Sequence, residues 1–314
     1  MRKLFQPSIL KKGDNIAIIS PAGNVDSTQL QSTISLIESN GYNVQLSPNS
    51  LGLYENGYKY SGTEKDRLND LNWALNDANI KAVWASRGGY GAQHLLERIK
   101  LNGFKDQPKW YIGYSDNTVI QSFLLKKGYP SIHGQTVKTS SFGVSEKSYS
   151  MIFSILKGEI PEYQIKEHKY NETGNSSGVL VGGNLALIYA LMGTKYSFDF
   201  RGKILFIEDV GESFYSIDRM ISSLELAGVF KQIKGLIVGG MNNMGSEKDN
   251  SNFEESFDPL AYSLIKERLE KYDFPVVFGF PNGHIFENWP LIIGAQVTID
   301  VKKEKVKIGY QSNK

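Results

Sequence analysis

Apolar positions along the chain switch between short unbroken runs and stripes at i, i+3, i+7, a pattern that predicts strands interleaved with helices. Residues 15–20 (Asn-Ile-Ala-Ile-Ile-Ser) form one run, stopped by Pro21-Ala22-Gly23. Asp26 or Ser27 can then cap a helix carrying Leu30, Ile34 and Ile37 up to Gly41, and Tyr42 to Leu46 reads as a second strand. Thr63-Glu64-Lys65-Asp66 has the form of a capping box, with Leu68, Leu71 and Leu75 on one helical face behind it. Ala82 to Ala85 reads as a buried strand halted by Arg87-Gly88-Gly89-Tyr90-Gly91, with a helix expected from Gln93 to Ile99. Trp110 to Gly113 is a further strand, followed almost at once by a helix from Asn117 to Lys126. This alternation predicts an α/β fold whose N-terminal, mainly parallel sheet carries helices on both faces.

The pattern changes after residue 156. Residues 157–177 are polar and lack a core period, which predicts a connector. Apolar strands follow at Val179–Val181, Ile204–Ile207, Leu236–Val238, Val276–Phe278 and Val297–Ile299, with helices expected at Ile217 to Leu226 and Pro259 to Tyr272. A smaller C-terminal mixed β/α domain is the economical reading, so the expected organisation is 1–156, a connector 157–177, and 178–314. Met241 to Phe257 reads as an exposed loop.

Composition narrows the chemistry. With 22% charged and 40% hydrophobic residues, the 314-residue chain is globular in character. Lys+Arg at 35 against Asp+Glu at 33 gives a net charge of +2, which argues against nucleic acid or an anionic membrane as partner. Nowhere do eighteen apolar residues run together, and the run after Met1-Arg2-Lys3 is broken by Pro7 and ends at Lys11-Lys12. A cytoplasmic protein is therefore expected. The absence of cysteine excludes a thiol nucleophile, a disulfide scaffold and thiolate metal sites, and no metal or cofactor is expected.

Gly113-Tyr114-Ser115-Asp116 lies between a strand and a helix, where a sharp turn exposes a serine hydroxyl and turns the next amide toward a developing oxyanion. Asn117 stands where the Gly-x-Ser-x-Gly form has its second glycine, and Ser115 as a simple helix cap is the plain alternative. The Arg87 to Gly91 turn can bring amides close to an anionic oxygen, or can merely let a helix pack closely; neither a dinucleotide fingerprint nor a Walker motif is present.

A nucleophilic serine needs a base, and there are four histidines. His94 reads as a helix-face residue, and His168 as solvated in the connector. His133 ends a short strand and is held in reserve, whereas His284 follows Phe280-Pro281-Asn282-Gly283 on a loop, where scaffolds often present working side chains. The run Lys203 to Asp209 carries an apolar strand straight into Glu208 and Asp209, with Glu212 close behind, so Glu208 or Glu212 can orient the base.

Together these segments resemble the LD-carboxypeptidase (muramoyltetrapeptide carboxypeptidase) family of serine peptidases. The resemblance runs in order through Ala17-Ile18-Ile19-Ser20-Pro21-Ala22-Gly23, Arg87-Gly88-Gly89-Tyr90-Gly91-Ala92 and Ile112-Gly113-Tyr114-Ser115-Asp116. It continues through Val181-Gly182-Gly183-Asn184-Leu185, Leu205 to Glu212 with Ile217-Asp218-Arg219-Met220, and Asn282-Gly283-His284. It implies Ser115 as nucleophile, His284 as general base, Glu208 as triad carboxylate, and an oxyanion hole from amides near Gly88 or Gly89 and at Asp116. It further implies release of terminal D-alanine from a murein tetrapeptide in peptidoglycan recycling, and a homodimer. Arg87 and Arg219 are candidates for the substrate carboxylate, with Tyr90, Asn184 and Trp289 as lining. Microcin-resistance amidases belong to the same family, though the intact Arg87 to Gly91 turn and short connector look more like the murein-peptide branch. The segment Ile285 to Gly294 carries extra residues where a compact Pro-Leu-Gly turn is usual. A non-catalytic α/β protein that cradles phosphate is the reading from a different class.

Overall fold

The computed structural model describes residues 7–245 and 257–311, and the chain divides into two compact units. The first comprises residues up to 159 together with 289–292; the second comprises 160–288 and 293 onward.

The first unit is built on strands β1 (Asn15–Ile19), β2 (Asn43–Leu46), β5 (Ile80–Ala85), β6 (Trp110–Gly113) and β7 (Ser131–His133). A small antiparallel hairpin, β3 (Tyr54–Glu55) and β4 (Lys59–Tyr60), stands apart from them. The main sheet has the order β13-β7-β6-β5-β1-β2, where β13 (Leu291–Ile293) comes from late in the chain. The pairs β1–β2, β1–β5, β5–β6 and β6–β7 are all parallel. Helix α1 (Ser27–Ser39) leads from β1 out to β2, and α2 (Glu64–Asn76) leads back across β1 to β5. Right-handed crossovers in opposite directions put these two helices on opposite faces of the sheet. The same reversal opens a crevice at the carboxyl ends of β1 and β5, and the loops after β1, β5 and β6 all leave from that edge.

Ile16 to Ile19, Ala82 to Ala85, Tyr111 and Ile112 are fully buried, as unbroken apolar runs in a covered sheet require. Thr63 and Asp66 form the expected reciprocal capping box at the start of α2. The helix expected from Gln93 is instead a 3-10 segment, Ala92–Arg98, that starts on a left-handed Gly91 and closes with the tight His94 N–H to Gly91 C=O bond at 3.2 Å. Helices α3 (Asn102–Asp106), α4 (Thr118–Lys126) and α5 (Glu146–Leu156) complete the unit.

In the second unit, seven strands follow the order β12-β11-β10-β9-β14-β15-β8. They are β8 (Glu162–Ile165), β9 (Gly174–Asn184), β10 (Ile204–Val210), β11 (Gly235–Asn242), β12 (Val276–Val277), β14 (Gln296–Lys302) and β15 (Lys305–Tyr310). The long β9 makes the sheet mixed: its first half pairs antiparallel with β14, and its second half pairs parallel with β10. Helices α6 (Leu185–Leu191), α7 (Phe214–Leu226), α8 (Val229–Gln232) and α9 (Pro259–Leu269) join the strands. The polar segment 157–177 contains β8 and the start of β9; β8 is an edge strand, so Glu162 and Gln164 face out while Tyr163 between them is buried. His168, expected to be solvated, sits with its ring against Tyr170, Tyr262 and Phe278 at centroid separations of 5.3–5.8 Å. The loop expected over Met241 to Phe257 falls mostly on residues outside the described ones, and Met241 and Asn242 close β11.

Gly182 in β9 has φ 126°, and a Cβ there would overlap the Phe206 carbonyl oxygen of β10. Gly182→Ala is expected to destabilise the protein by roughly 3 kcal/mol or more, from backbone strain and overpacking together. Denaturant unfolding of the purified variant measures it.

Candidate active site

Ser115 stands between β6 and α4 with φ 62°, the left-handed region that a residue bearing a Cβ seldom enters. Three neighbours hold it there. Gly113 has no side chain, so the Asn117 carboxamide fills the space beneath it, 2.8 Å from where a Cβ would lie. Asn117 donates to the Tyr114 carbonyl at 2.9 Å and accepts from the buried Tyr111 hydroxyl at 2.6 Å. The residue in the place of the motif's second glycine is thus the pin of the turn. Above it, a Cβ on Gly88 would lie 2.8 Å from Ser115 Cβ, 2.9 Å from its Oγ and 3.3 Å from the Asp116 nitrogen. Only glycine lets the β5 turn come so close to this hydroxyl and the following amide.

Around the glycine turn, Arg87 donates to the Asn24 carbonyl at 2.9 Å, and Gly23 N–H donates to the Gly88 carbonyl at 3.2 Å. Tyr90 is exposed, with its ring edge-on to Tyr58 and to His94, and His94 lies 3.3 Å from the Tyr90 hydroxyl. Burial, then the Arg67 charge, hold the His94 pKa below its ordinary value. Two residues here escaped the sequence reading. The Tyr58 hydroxyl, brought in by the β3–β4 hairpin, would touch a Cβ on Gly23 at 2.9 Å and one on Gly89 as well. Arg67, buried on α2, donates to the Pro21 and Gly91 carbonyls at 2.7 and 2.9 Å. An arginine inside a capped helix gives no sequence signal of burial. His133 is fully buried within 3.0 Å of Gln121 Oε1, and Gln121 in turn donates to the Gly113 and Ile132 carbonyls, so it braces the strand that carries the serine.

In the second unit, His284 Nδ1 lies 2.8 Å from Oε2 of the fully buried Glu208. Glu208 ends the apolar run of β10, and Gly283, at φ 126°, permits the approach: a Cβ there would lie 2.8 Å from the same Oε2. The loop is fixed from β11, where Gly240 N–H donates to the Asn282 carbonyl at 2.8 Å and Asn242 donates to the His284 carbonyl at 2.7 Å. Burial pulls the imidazole pKa down, but the charge and hydrogen bond of Glu208, with Asp209 behind, outweigh it and hold His284 above its ordinary 6.5. A buried carboxylate on Nδ1 is the arrangement that fixes the tautomer of a general base.

Asp209 turns away from this pair. It accepts from the Asn184 amide and the Ala186 N–H, both at 2.9 Å, and Asn184 itself accepts from Leu187 N–H as N-cap of α6. Burial, then the Glu208 charge, push Asp209 up to about 7. Asn184 therefore serves the start of α6, the capping role, and Arg219 lies exposed with its guanidinium 5.1 Å from the Tyr215 ring. Trp289, which groups with the first unit, has Lys147 Nζ 4.3 Å from its ring.

Residues 16–134 match the LD-carboxypeptidase N-terminal domain family, and residues 177–299 match its C-terminal domain family. The chain belongs to the LD-carboxypeptidase family. A putative carboxypeptidase of Synechocystis sp. is 32% identical, covering 95% of each chain, and a probable murein peptide carboxypeptidase of Bacillus subtilis is 28% identical, covering 97% of this chain and 94% of its own. The structure of a muramoyltetrapeptide carboxypeptidase from Oxalobacter formigenes superposes with a TM-score of 0.81 at 27% identity, covering 95% of this chain and 99% of its own. Microcin C7 self-immunity protein MccF shares the fold with a TM-score of 0.82 at 22% identity, covering 97% and 98%; the MccF sequence from Escherichia coli is 25% identical over 80% of each chain. The N-terminal LD-carboxypeptidase segment contains Gly88, Ser115 and Asp116; the C-terminal one contains Glu208 and His284. Among the described residues no His/Cys/Asp/Glu group could hold a metal ion, and no helix is long and apolar enough to cross a membrane.

Because Glu208 raises the His284 pKa, Glu208→Gln is expected to lower it, so the imidazole stays neutral to more acid pH than in the parent. NMR titration of the His284 ring measures this. An unchanged value means that the carboxylate does not control the histidine.

Proposed function

We propose that this LD-carboxypeptidase releases the terminal D-alanine of murein tetrapeptides through an acyl-enzyme on Ser115, with His284 as general base and Glu208 holding its imidazole. The observation that carries the reading is the left-handed Ser115 facing a side-chain-free Gly88. A helix cap needs no such strain, whereas an exposed nucleophile at a strand-to-helix turn does. The names of the murein-peptide relatives support the substrate class.

In this reading Ser115 Oγ attacks the carbonyl that joins the L-centre of the diamino acid to D-alanine, and its proton passes to His284. Amides of Asp116 and of Gly88 or Gly89 receive the oxyanion; a single such donor is worth roughly 3–4 kcal/mol. Collapse breaks the C–N bond as His284 delivers the proton to the departing amine. Water then adds to the acyl carbon, giving a proton to His284, and the ester C–O bond breaks to restore Ser115. Arg87, beside the glycine turn, is the first candidate to meet the substrate carboxylate, with Tyr90 next to it; Arg219 and Trp289 remain further binding candidates. A cytoplasmic role in peptidoglycan recycling and a homodimer accompany the proposal.

The likeness to MccF favours a second reading, an amidase acting on microcin-type peptide–nucleotide conjugates. Assaying the purified protein on both substrates decides between them: D-alanine release at the higher kcat/KM supports the first, and preferential cleavage of the conjugate overturns it. Ser115→Ala is expected to lower turnover at least 1,000-fold with the fold intact, and chelators to leave it unchanged. A phosphate-cradling binding protein would instead resist serine-directed fluorophosphonates and keep its ligand in Ser115→Ala.

A further inference from the structure

The glycine turn that faces Ser115 is tied at its near end by the Gly23 N–H to Gly88 carbonyl bond. Its far end is the Gly91–Ala92 peptide, and both polar atoms of that group are taken by buried side chains of opposite charge. Arg67 Nη1 donates to the Gly91 carbonyl at 2.9 Å, and the Ala92 N–H donates to Asp116 Oδ2 at 2.8 Å. Arg67 and Asp116 are 3% and 1% exposed, so neither bond competes with solvent. The peptide is planar and trans, so binding its two ends from opposite sides fixes its plane.

This constraint matters because the part of the turn beyond the Gly23 N–H to Gly88 carbonyl bond runs through further glycines. Gly89 and Gly91 both have positive φ, at 108° and 118°, and glycine crosses easily between the two halves of the φ range. Asp116 is also the residue whose own amide follows the nucleophile. One residue thus presents its N–H beside Ser115 and, through its side chain, anchors the facing turn. Arg67 is braced in turn by the Pro21 carbonyl at 2.7 Å and lies 5.0 Å from the Tyr60 ring centroid.

We propose that Asp116 and Arg67 are positioning residues for acyl transfer, clamping the Gly91–Ala92 peptide so that the amides of the Gly88–Gly91 turn stay aligned with Ser115. The proposal rests on the serine-peptidase reading. Burial pushes the Asp116 pKa up to about 7, against the Ala92 donor and the Arg67 charge. The other ionisable groups that sense Asp116 are Tyr111 and Tyr58, both held above their ordinary pKa chiefly by their own burial.

The test compares D116A, R67M, the double variant and D116N in the full chain. It measures kcat and KM for D-alanine release together with the rate of Ser115 labelling by a fluorophosphonate. Each single truncation is expected to lower kcat and the labelling rate 30- to 300-fold with KM within threefold. The double variant should fall no more than threefold below the weaker single one, because both side chains act through one peptide. D116N keeps an acceptor for Ala92 and should recover at least fivefold over D116A. Losses that multiply in the double variant, a change in KM in place of kcat, or no recovery in D116N overturn the clamp. If circular dichroism shows a truncation unfolded, D116N and R67K decide instead. R67K is then expected to lower kcat three- to thirtyfold at constant KM, and D116N, which keeps the Ala92 acceptor, to lower it no more than thirtyfold; parent-like kcat in R67K, a larger loss in D116N, or a shift in KM in either overturns the proposal. Labelled parent enzyme that releases no D-alanine overturns the substrate reading, while the labelling rates still judge the clamp. A parent protein that is not labelled overturns the serine reading and the clamp with it.

Discussion

The close approach of Gly88 to Ser115 is the constraint on which the first unit is organised. A serine at φ 62° stores roughly 1–3 kcal/mol of backbone strain, which persists only where the surroundings leave no other conformation. Those surroundings are specific: Asn117 under Gly113, Tyr111 on Asn117, and Gln121 spanning the carbonyls of β6 and β7. The Gly88 backbone closes the other side. None of these groups carries formal charge, and the hydrogen bonds among them are buried, where each is stronger than in water.

The second unit solves a different problem, the burial of two adjacent carboxyl groups. Glu208 and Asp209 follow one another at the end of β10 and, as neighbours on a strand, point to opposite sides. One meets His284 and the other meets the start of α6. Each is matched to donors, which is what makes their burial tolerable. The pairing register between β10 and β11 shifts between Ile207 and Asp209, at the point where the strand delivers both groups.

Much of this was legible from residue patterns. The βαβ opening, the capping box at Thr63, the strands at 82–85 and 110–113, and the mixed C-terminal sheet follow from hydrophobic period and turn residues, which depend on local geometry alone. The edge strand at Glu162–Ile165 escaped because an edge needs only one buried face, and one inward tyrosine among polar residues leaves no period to read. His168 departs from the solvated expectation for a related reason: its polar neighbours in sequence say nothing of Tyr262 and Phe278, which pack on it from about a hundred residues away.

By itself, the sequence determined most of the elements and narrowed the candidate residues, because these depend on residue type, spacing and exclusion. With no cysteine and four histidines, little else was available to activate a serine. Tertiary structure alone decided which groups meet. Glu208, rather than Glu212, stands on His284 across 76 positions of chain, Asn184 turns to α6, and Arg67 and Asp116 converge on the two ends of one peptide bond. Such encounters depend on strand order and loop closure, which local pattern does not encode. That is why the glycine at 88 reads in the sequence as either an oxyanion turn or a packing turn and, once folded, is the only residue that fits beside Ser115.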